Sequence, residues 1–198
     1  VCGIFAYTGH GAPDRELLTA ITRAAATRGP HAHGWTTGET THRALGPMDP
    51  DAAVTACQDA HQCLGHARLA TFGRYDDEDA VQPVTVDGHH VAFNGNIYNP
   101  VEVHPGTWPA DTHHLAHAYA AERTHGHSPH RALERALAPA RMNAWAVVIL
   151  DASGALVTYR QGLPLFTYRA EGGLYLASRH FHPDASELAP NTLTVDTP

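Results

Sequence analysis

Val1-Cys2-Gly3-Ile4-Phe5-Ala6-Tyr7 opens the chain, a run of strand-forming residues with a cysteine at its tip. If one residue is removed, Cys2 comes first, and a nucleophilic thiol and a free α-amine then belong to the same residue. An α-amine titrating at roughly 7.7 to 8 suits general-base work at neutral pH. A side-chain nucleophile activated by its own terminal amine is one route to an amidase. Taken alone, the same cysteine also reads as a small buried apolar residue. The rest of the sequence decides between the two.

A chain of 198 residues fits one domain, or at most one and a fraction, so a single domain over 1–198 with no second catalytic domain is expected. The hydrophobic fraction of 43% and charged fraction of 17% are those of a soluble globular protein. No apolar run approaches the roughly 18 residues of a membrane span. The segment from Val1 to Tyr7 is too short for a signal-peptide core and lacks a basic start, which points to the cytoplasm. A net charge of -7 without any Arg-rich run argues against nucleic acid as a partner. Three cysteines imply reduced thiols rather than a disulfide framework. The 17 histidines include His31-Ala32-His33, His89-His90, His113-His114 and His125-Gly126-His127, but none repeats a metal-ligand spacing with a defined second pair. They are expected to face solvent, with no metal and no organic cofactor.

Along the chain, Asp14 is positioned to cap a helix running to about Thr27, with Leu17, Leu18, Ile21 and Ala25 on one face and Gly29-Pro30 as the stop. His33 to Thr41 reads as one strand. Residues 46 to 60 read as a loop with a short helix. Leu64 to Thr71 suits a buried strand with Arg68 in its middle, either an edge-strand arginine reaching solvent or a receptor for a carboxylate. Gly73 to Asp79 reads as a polar loop. Val84 to Phe93 gives two short strands around Asp87-Gly88. Asn94-Gly95-Asn96 follows directly as a turn, or as a site in which the Asn94 amide and the Gly95 N–H face a developing oxyanion. Asp111 reads as the N-cap of a second helix and Ser128-Pro129 starts a third. Ala144 to Leu150, Ala155 to Arg160, Leu165 to Tyr168, Leu174 to Ala177 and Thr192 to Val195 read as strands. Strands at both ends with helices between them suggest two packed sheets covered by helices. No nucleotide-loop fingerprint occurs.

Cys2-Gly3-Ile4-Phe5, Arg28-Gly29-Pro30, Gly65-His66-Ala67-Arg68-Leu69-Ala70-Thr71, Gln82-Pro83, Phe93-Asn94-Gly95-Asn96-Ile97-Tyr98-Asn99, Asp111-Thr112 and Arg160-Gln161-Gly162-Leu163-Pro164-Leu165 occur in a fixed order. In that order and approximate spacing the chain resembles the class II glutamine amidotransferase domain over nearly its whole length. It is most similar to the glutaminase half of asparagine synthetase, while Thr71-Phe72-Gly73 looks more like the glutaminase halves of glucosamine-phosphate synthase and the purine amidophosphoribosyltransferase. The resemblance implies an α+β fold, a four-layer αββα sandwich of the N-terminal-nucleophile hydrolase type. It also implies hydrolysis of the glutamine side-chain amide through a cysteinyl thioester, with ammonia passed to a separately encoded synthetase or ligase.

By the same resemblance Cys2 matches the nucleophile, and Asn94 and Gly95 the oxyanion hole. Arg68 matches the grip on the substrate α-carboxylate, with Thr71 near it, and Asp111 matches the partner of the substrate α-ammonium. Asn96 stands in a substrate-contacting position where asparagine synthetases usually carry Glu. His31 stands where the family often has Asp; that position is not catalytic, and the change is expected mostly to alter loop packing. Two other readings keep the fold: a free-standing amidohydrolase acting on another γ-glutamyl or amide substrate, and a non-catalytic glutamine-binding or scaffold subunit.

Val1 is read as the translation of a GTG start codon, decoded as Met and removed because Cys2 is small. Intact mass of the purified protein checks this: a species beginning at Cys2 is expected. A fully retained first residue together with glutaminase activity would remove the amine from the mechanism.

Overall fold

A computed structural model describes residues 1–71 and 74–197; Phe72-Gly73, and with it the start of the expected loop from Gly73 to Asp79, lies outside the described residues. In chain order the elements are β1 (Gly3–Gly9), α1 (Arg15–Ala26), β2 (Ala32–Thr36), β3 (Thr41–Leu45), α2 (Pro50–Cys57), β4 (Gln62–Arg68), β5 (Val84–Val86), β6 (His89–Asn94), α3 (Pro100–Val103), α4 (Asp111–Thr124), α5 (Pro129–Leu137), β7 (Trp145–Leu150), β8 (Leu156–Gln161), β9 (Phe166–Ala170), β10 (Gly173–Ala177), β11 (Ser186–Glu187) and β12 (Leu193–Asp196). They form a seven-stranded sheet, β11-β9-β10-β1-β4-β2-β3, and a five-stranded sheet, β12-β8-β7-β6-β5.

Alternation along β1 explains the layering. Every residue of β1 is buried, so both of its faces are covered. Phe5 and Tyr7 pack with Leu18, Ile21, Val54 and Cys57 of α1 and α2. Ile4 and Ala6 instead meet Leu64 and, from the other sheet, Ala92, Ala146 and Val148. On the far side of the second sheet, Val91, Phe93, Val147 and Ile149 pack against Leu115 and Tyr119 of α4 and Leu133 of α5. Three apolar interfaces between four layers make the αββα sandwich. Glycine permits the close approaches: a Cβ on Gly65 would lie 2.0 Å from the Phe5 ring, and one on Gly3 would lie 2.0 Å from the Ala25 carbonyl oxygen.

The helix starts at Asp14 and Ser128 are as expected, each side chain accepting a backbone N–H from three residues on. Elsewhere the structure differs from the sequence expectation. The single strand over His33 to Thr41 is a hairpin, β2 and β3, because Gly38 takes a left-handed φ of 92° and Thr37 N–H bonds the Thr40 carbonyl. Arg68 ends β4 rather than lying mid-strand, and β4 is an interior strand, so the solvent-reaching reading of Arg68 falls. The short α3 and β11 had no signal in the sequence. Several histidines, among them His33, His66, His89, His90 and His114, are buried rather than solvent-facing.

Asp151 closes the pole opposite Cys2. Its side chain is fully buried and receives Arg123 Nε at 2.8 Å and Tyr119 Oη at 2.7 Å, with the Ser153 backbone N–H at 2.9 Å. Burial alone would raise its pKa, but hydrogen bonds from His89, Arg123, Ser153 and Tyr119 outweigh burial and hold it well below the usual carboxylate range. A depressed carboxylate adds stability above its unfolded pKa and loses it as pH falls. Asp151→Asn therefore strands Arg123 and costs about 3 to 5 kcal/mol at pH 7. Denaturant unfolding at neutral pH and at about pH 3, below the unfolded carboxylate pKa, checks this, with wild type losing more stability on acidification than the variant.

Candidate active site

The site forms where the start of β1 meets the ends of β4 and β6. Ser178, just after β10, fixes the start of β1 on both sides of Ile4: its Oγ accepts the Ile4 N–H at 2.9 Å and its own N–H donates to the Ile4 carbonyl at 2.9 Å. Two residues upstream of Ile4, the other sheet takes over. Asn94, at the end of β6, accepts the Cys2 N–H on Oδ1 at 3.0 Å and donates Nδ2 to the Cys2 carbonyl at 3.2 Å. The Cys2 main chain is thereby held across the sandwich.

The Cys2 sulfur lies at the continuation of β4, where the Leu69 N–H donates to it at 3.4 Å and the thiol reaches the Leu69 carbonyl at 3.6 Å. Burial pushes the thiol pKa up, and Asp111 adds to this. The Leu69 N–H, the chain's terminal charge and Arg68 offset it only in part, so the thiol is protonated at neutral pH and needs a base.

Cys2, Arg68, Thr71, Gly95, Asn96 and Asp111 line one cavity. Asn94 lies behind it, 2% exposed, against the Cys2 main chain. All seven residues singled out from the sequence are thus gathered around one point. The cavity measures about 40 Å³, room for a few waters. A larger cleft of about 380 Å³, lined by Gln62, His90 and Asp151 among others, has no cysteine and no arginine in its lining.

Arg68 is buried, and its Nη1 donates to the Arg74 carbonyl at 3.0 Å. Next to it in β4, burial drives the His66 imidazole down to about 3, leaving a neutral ring between the sheets. Asp111 is not the cap of α4; that position belongs to Ala110. The Asp111 carboxylate accepts the Ile97 N–H at 2.8 Å and the Thr112 N–H at 2.9 Å, which ties the start of α4 to the turn after Asn96. Burial raises its pKa and these N–H groups oppose the rise. Thr71 Oγ1 reaches Asn96 Oδ1 at 3.3 Å across the cavity mouth.

Two further residues position the site. Gln82 Oε1 accepts the Phe93 N–H at 2.6 Å and its Nε2 donates to Thr112 Oγ1 at 2.9 Å. It therefore sets the strand end carrying Asn94-Gly95 against the helix start carrying Asp111. Gln82-Pro83 belongs to the ordered motif set, which was the available signal for it. His31 packs the loop after α1 against the end of β4: its Nδ1 accepts the Ala70 N–H at 2.9 Å and its backbone N–H donates to the Arg68 carbonyl. Among the described residues no group of three or more His, Cys, Asp or Glu side chains is placed to hold a metal ion.

No family model and no curated protein matches the chain. Solved structures do share its fold. The glutamine phosphoribosylpyrophosphate amidotransferase of B. subtilis, complexed with ADP and GMP, superposes with a TM-score of 0.71 at 20% identity over 99% of this chain. A structure described as the allosteric regulatory enzyme of purine biosynthesis gives 0.72 at 20% identity, also over 99% of this chain. The chain spans about half the length of these two, 49% in each case. A glutamine aminotransferase class-II domain protein from Silicibacter pomeroyi gives 0.62 at 14% identity, covering 99% of both chains. The chain therefore shares the four-layer αββα fold of these amidotransferase structures.

Gln82→Leu leaves the Phe93 N–H buried without a partner, an expected loss of about 1 to 3 kcal/mol. Denaturant unfolding checks it; a change within about 0.5 kcal/mol, the ordinary range for surface substitutions, would remove the positioning role.

Proposed function

We propose that this chain hydrolyses the side-chain amide of glutamine through a cysteinyl thioester and delivers the ammonia to an acceptor enzyme outside these residues. The observation that carries the reading is the lining of one cavity by the Cys2 thiol, a guanidinium and a carboxylate. A free amino acid has an α-carboxylate and an α-ammonium, and Arg68 and Asp111 are the complementary pair.

In this reading the Cys2 sulfur attacks the amide carbon while its proton passes to the freed α-amine of the same residue. Asn94 Oδ1, which accepts the Cys2 N–H, is already placed to orient that amine. An asparagine amide has two N–H donors. One lies on the Cys2 carbonyl, and the other is assigned with the Gly95 N–H to the developing oxyanion. The carbon–nitrogen bond breaks, the amine returns its proton to the leaving group, and ammonia departs from a γ-glutamyl thioester. Water then cleaves the thioester to glutamate and the thiol. No metal or organic cofactor takes part.

The acceptor is assigned to a separate synthetase or ligase. These residues carry no nucleotide-loop fingerprint of their own. A non-catalytic glutamine-binding subunit is the second reading, favoured by the peptide linkage of the Cys2 nitrogen to Val1. Glutamine binding without ammonia release, in protein that begins at Cys2, would establish it.

Cys2→Ala is expected to abolish glutaminase turnover, and Asn94→Ala to lower kcat by on the order of 10²-fold. Because the thiol is pushed up, the amine sets the pH profile: kcat/KM rises as pH increases through roughly 7.7 to 8 and then levels. The raised Asp111 carboxyl is protonated at a higher pH than an ordinary aspartate, so KM for glutamine climbs early on acidification. Unchanged turnover in Cys2→Ala would end the proposal.

A further inference from the structure

A groove of about 630 Å³ lies beside the start of β1, lined by Val1, Arg28, Leu69, Phe166, Arg179 and His180 among others. Leu69, whose main chain holds the Cys2 sulfur, also lines the active-site cavity, so the two spaces adjoin there. The fold brings its cations together from both flanks of β1. Beyond β10, Ser178 still pairs with Ile4, so Arg179 and His180 continue alongside the residues that precede Ile4. Arg28 comes from the other side, just past the end of α1, where its N–H bonds the Ala25 carbonyl.

Neutral oxygens hold both guanidiniums. Arg28 Nη1 donates to the Ser178 carbonyl, and Arg179 Nη1 donates to Thr27 Oγ1 at 2.9 Å. Among the described residues neither arginine has a carboxylate partner, whereas Arg23, Arg74, Arg123, Arg160 and Arg169 each have one. No acidic residue lines the groove, in a chain whose net charge is -7. Burial first, and then the neighbouring Arg179 charge, lower the pKa of Arg28, with Cys2 opposing them, so the two guanidiniums lie within electrostatic reach of each other.

We propose that this groove is an oxyanion site that takes a phosphate-bearing small molecule. Two guanidinium forks with an imidazole beside them match a phosphate through charge-assisted hydrogen bonds. The groove adjoins the cavity that holds Cys2, and any part its ligand plays in ammonia transfer rests on the amidotransferase reading above. The phosphate site itself does not rest on that reading.

Isothermal titration with pyrophosphate tests the proposal. Saturable binding at millimolar concentration or tighter is expected, weakening as salt is raised. Arg179→Gln is expected to weaken it about ten-fold or more, the loss of one charge-assisted contact. Arg28→Gln should do the same, and Arg169→Gln, whose arginine is paired with Asp196 elsewhere, should leave binding unchanged. Arg179 is exposed and its substitution leaves the fold intact, so the test survives any instability of Arg28→Gln. No binding, or binding undiminished in Arg179→Gln, overturns the site. Binding of a Glu-rich peptide in place of pyrophosphate overturns the small-molecule assignment. The titration needs no turnover: a protein without glutaminase activity that still binds pyrophosphate through Arg179 keeps the site and removes only its link to ammonia transfer.

Discussion

Two hydrogen bonds from one carboxamide join the two sheets into a site. Asn94 terminates a strand of the five-stranded sheet, yet it grips the main chain of Cys2 at the start of the central strand of the seven-stranded one. Without that grip, the first residues of β1 would be held only by their own sheet and would be free to fray, as termini usually are. With it, the sulfur is delivered to Leu69 at the end of β4, and the Gly95 N–H follows within the same turn as Asn94. The apolar layer of Ile4, Ala6, Leu64, Ala92 and Val148 supplies the rigidity, and the polar clamp supplies the aim.

Burial shapes the electrostatics in a consistent direction. It raises the Cys2 thiol and the Asp111 carboxyl and lowers the His66 imidazole, so it works against the charged form of each of these three groups near the cavity. Neutral His66 leaves the charge of Arg68 as the local positive centre, which suits a site that must seat a carboxylate. A protonated thiol is a poor nucleophile, and the proposed chemistry accordingly needs a nearby base of neutral pKa. The nitrogen of Cys2 is the group whose position already meets that need, provided its bond to Val1 is broken.

Much of this was legible in the sequence, for reasons that can be named. The strand pattern and the ordered short motifs located Cys2, Arg68, Thr71, Asn94, Gly95, Asn96 and Asp111, and all seven converge. Motifs of this kind mark backbone turns and charges at strand ends, where few alternatives are tolerated. The hairpin at Gly38 was hidden because Thr-rich residues on both sides carry the same strand propensity through the turn. Asp111 looked like a cap because a carboxylate at a helix start usually is one; its true partners, Ile97 and Thr112, depend on how a distant turn docks. Burial of His66 follows from β4 being an interior strand covered on both faces, which alternation within one strand does not reveal. The site-positioning role of Gln82 required seeing that its two ends bridge β6 and α4.

The most direct test of the account is covalent capture. Protein beginning at Cys2 is incubated with a glutamine chloroketone, digested, and mapped by mass spectrometry. The account predicts a single adduct on Cys2, none on the buried Cys57 and Cys63, protection by glutamine, and no adduct on molecules that retain Val1. An adduct formed equally well with Val1 in place, or none on protein that begins at Cys2, would contradict it.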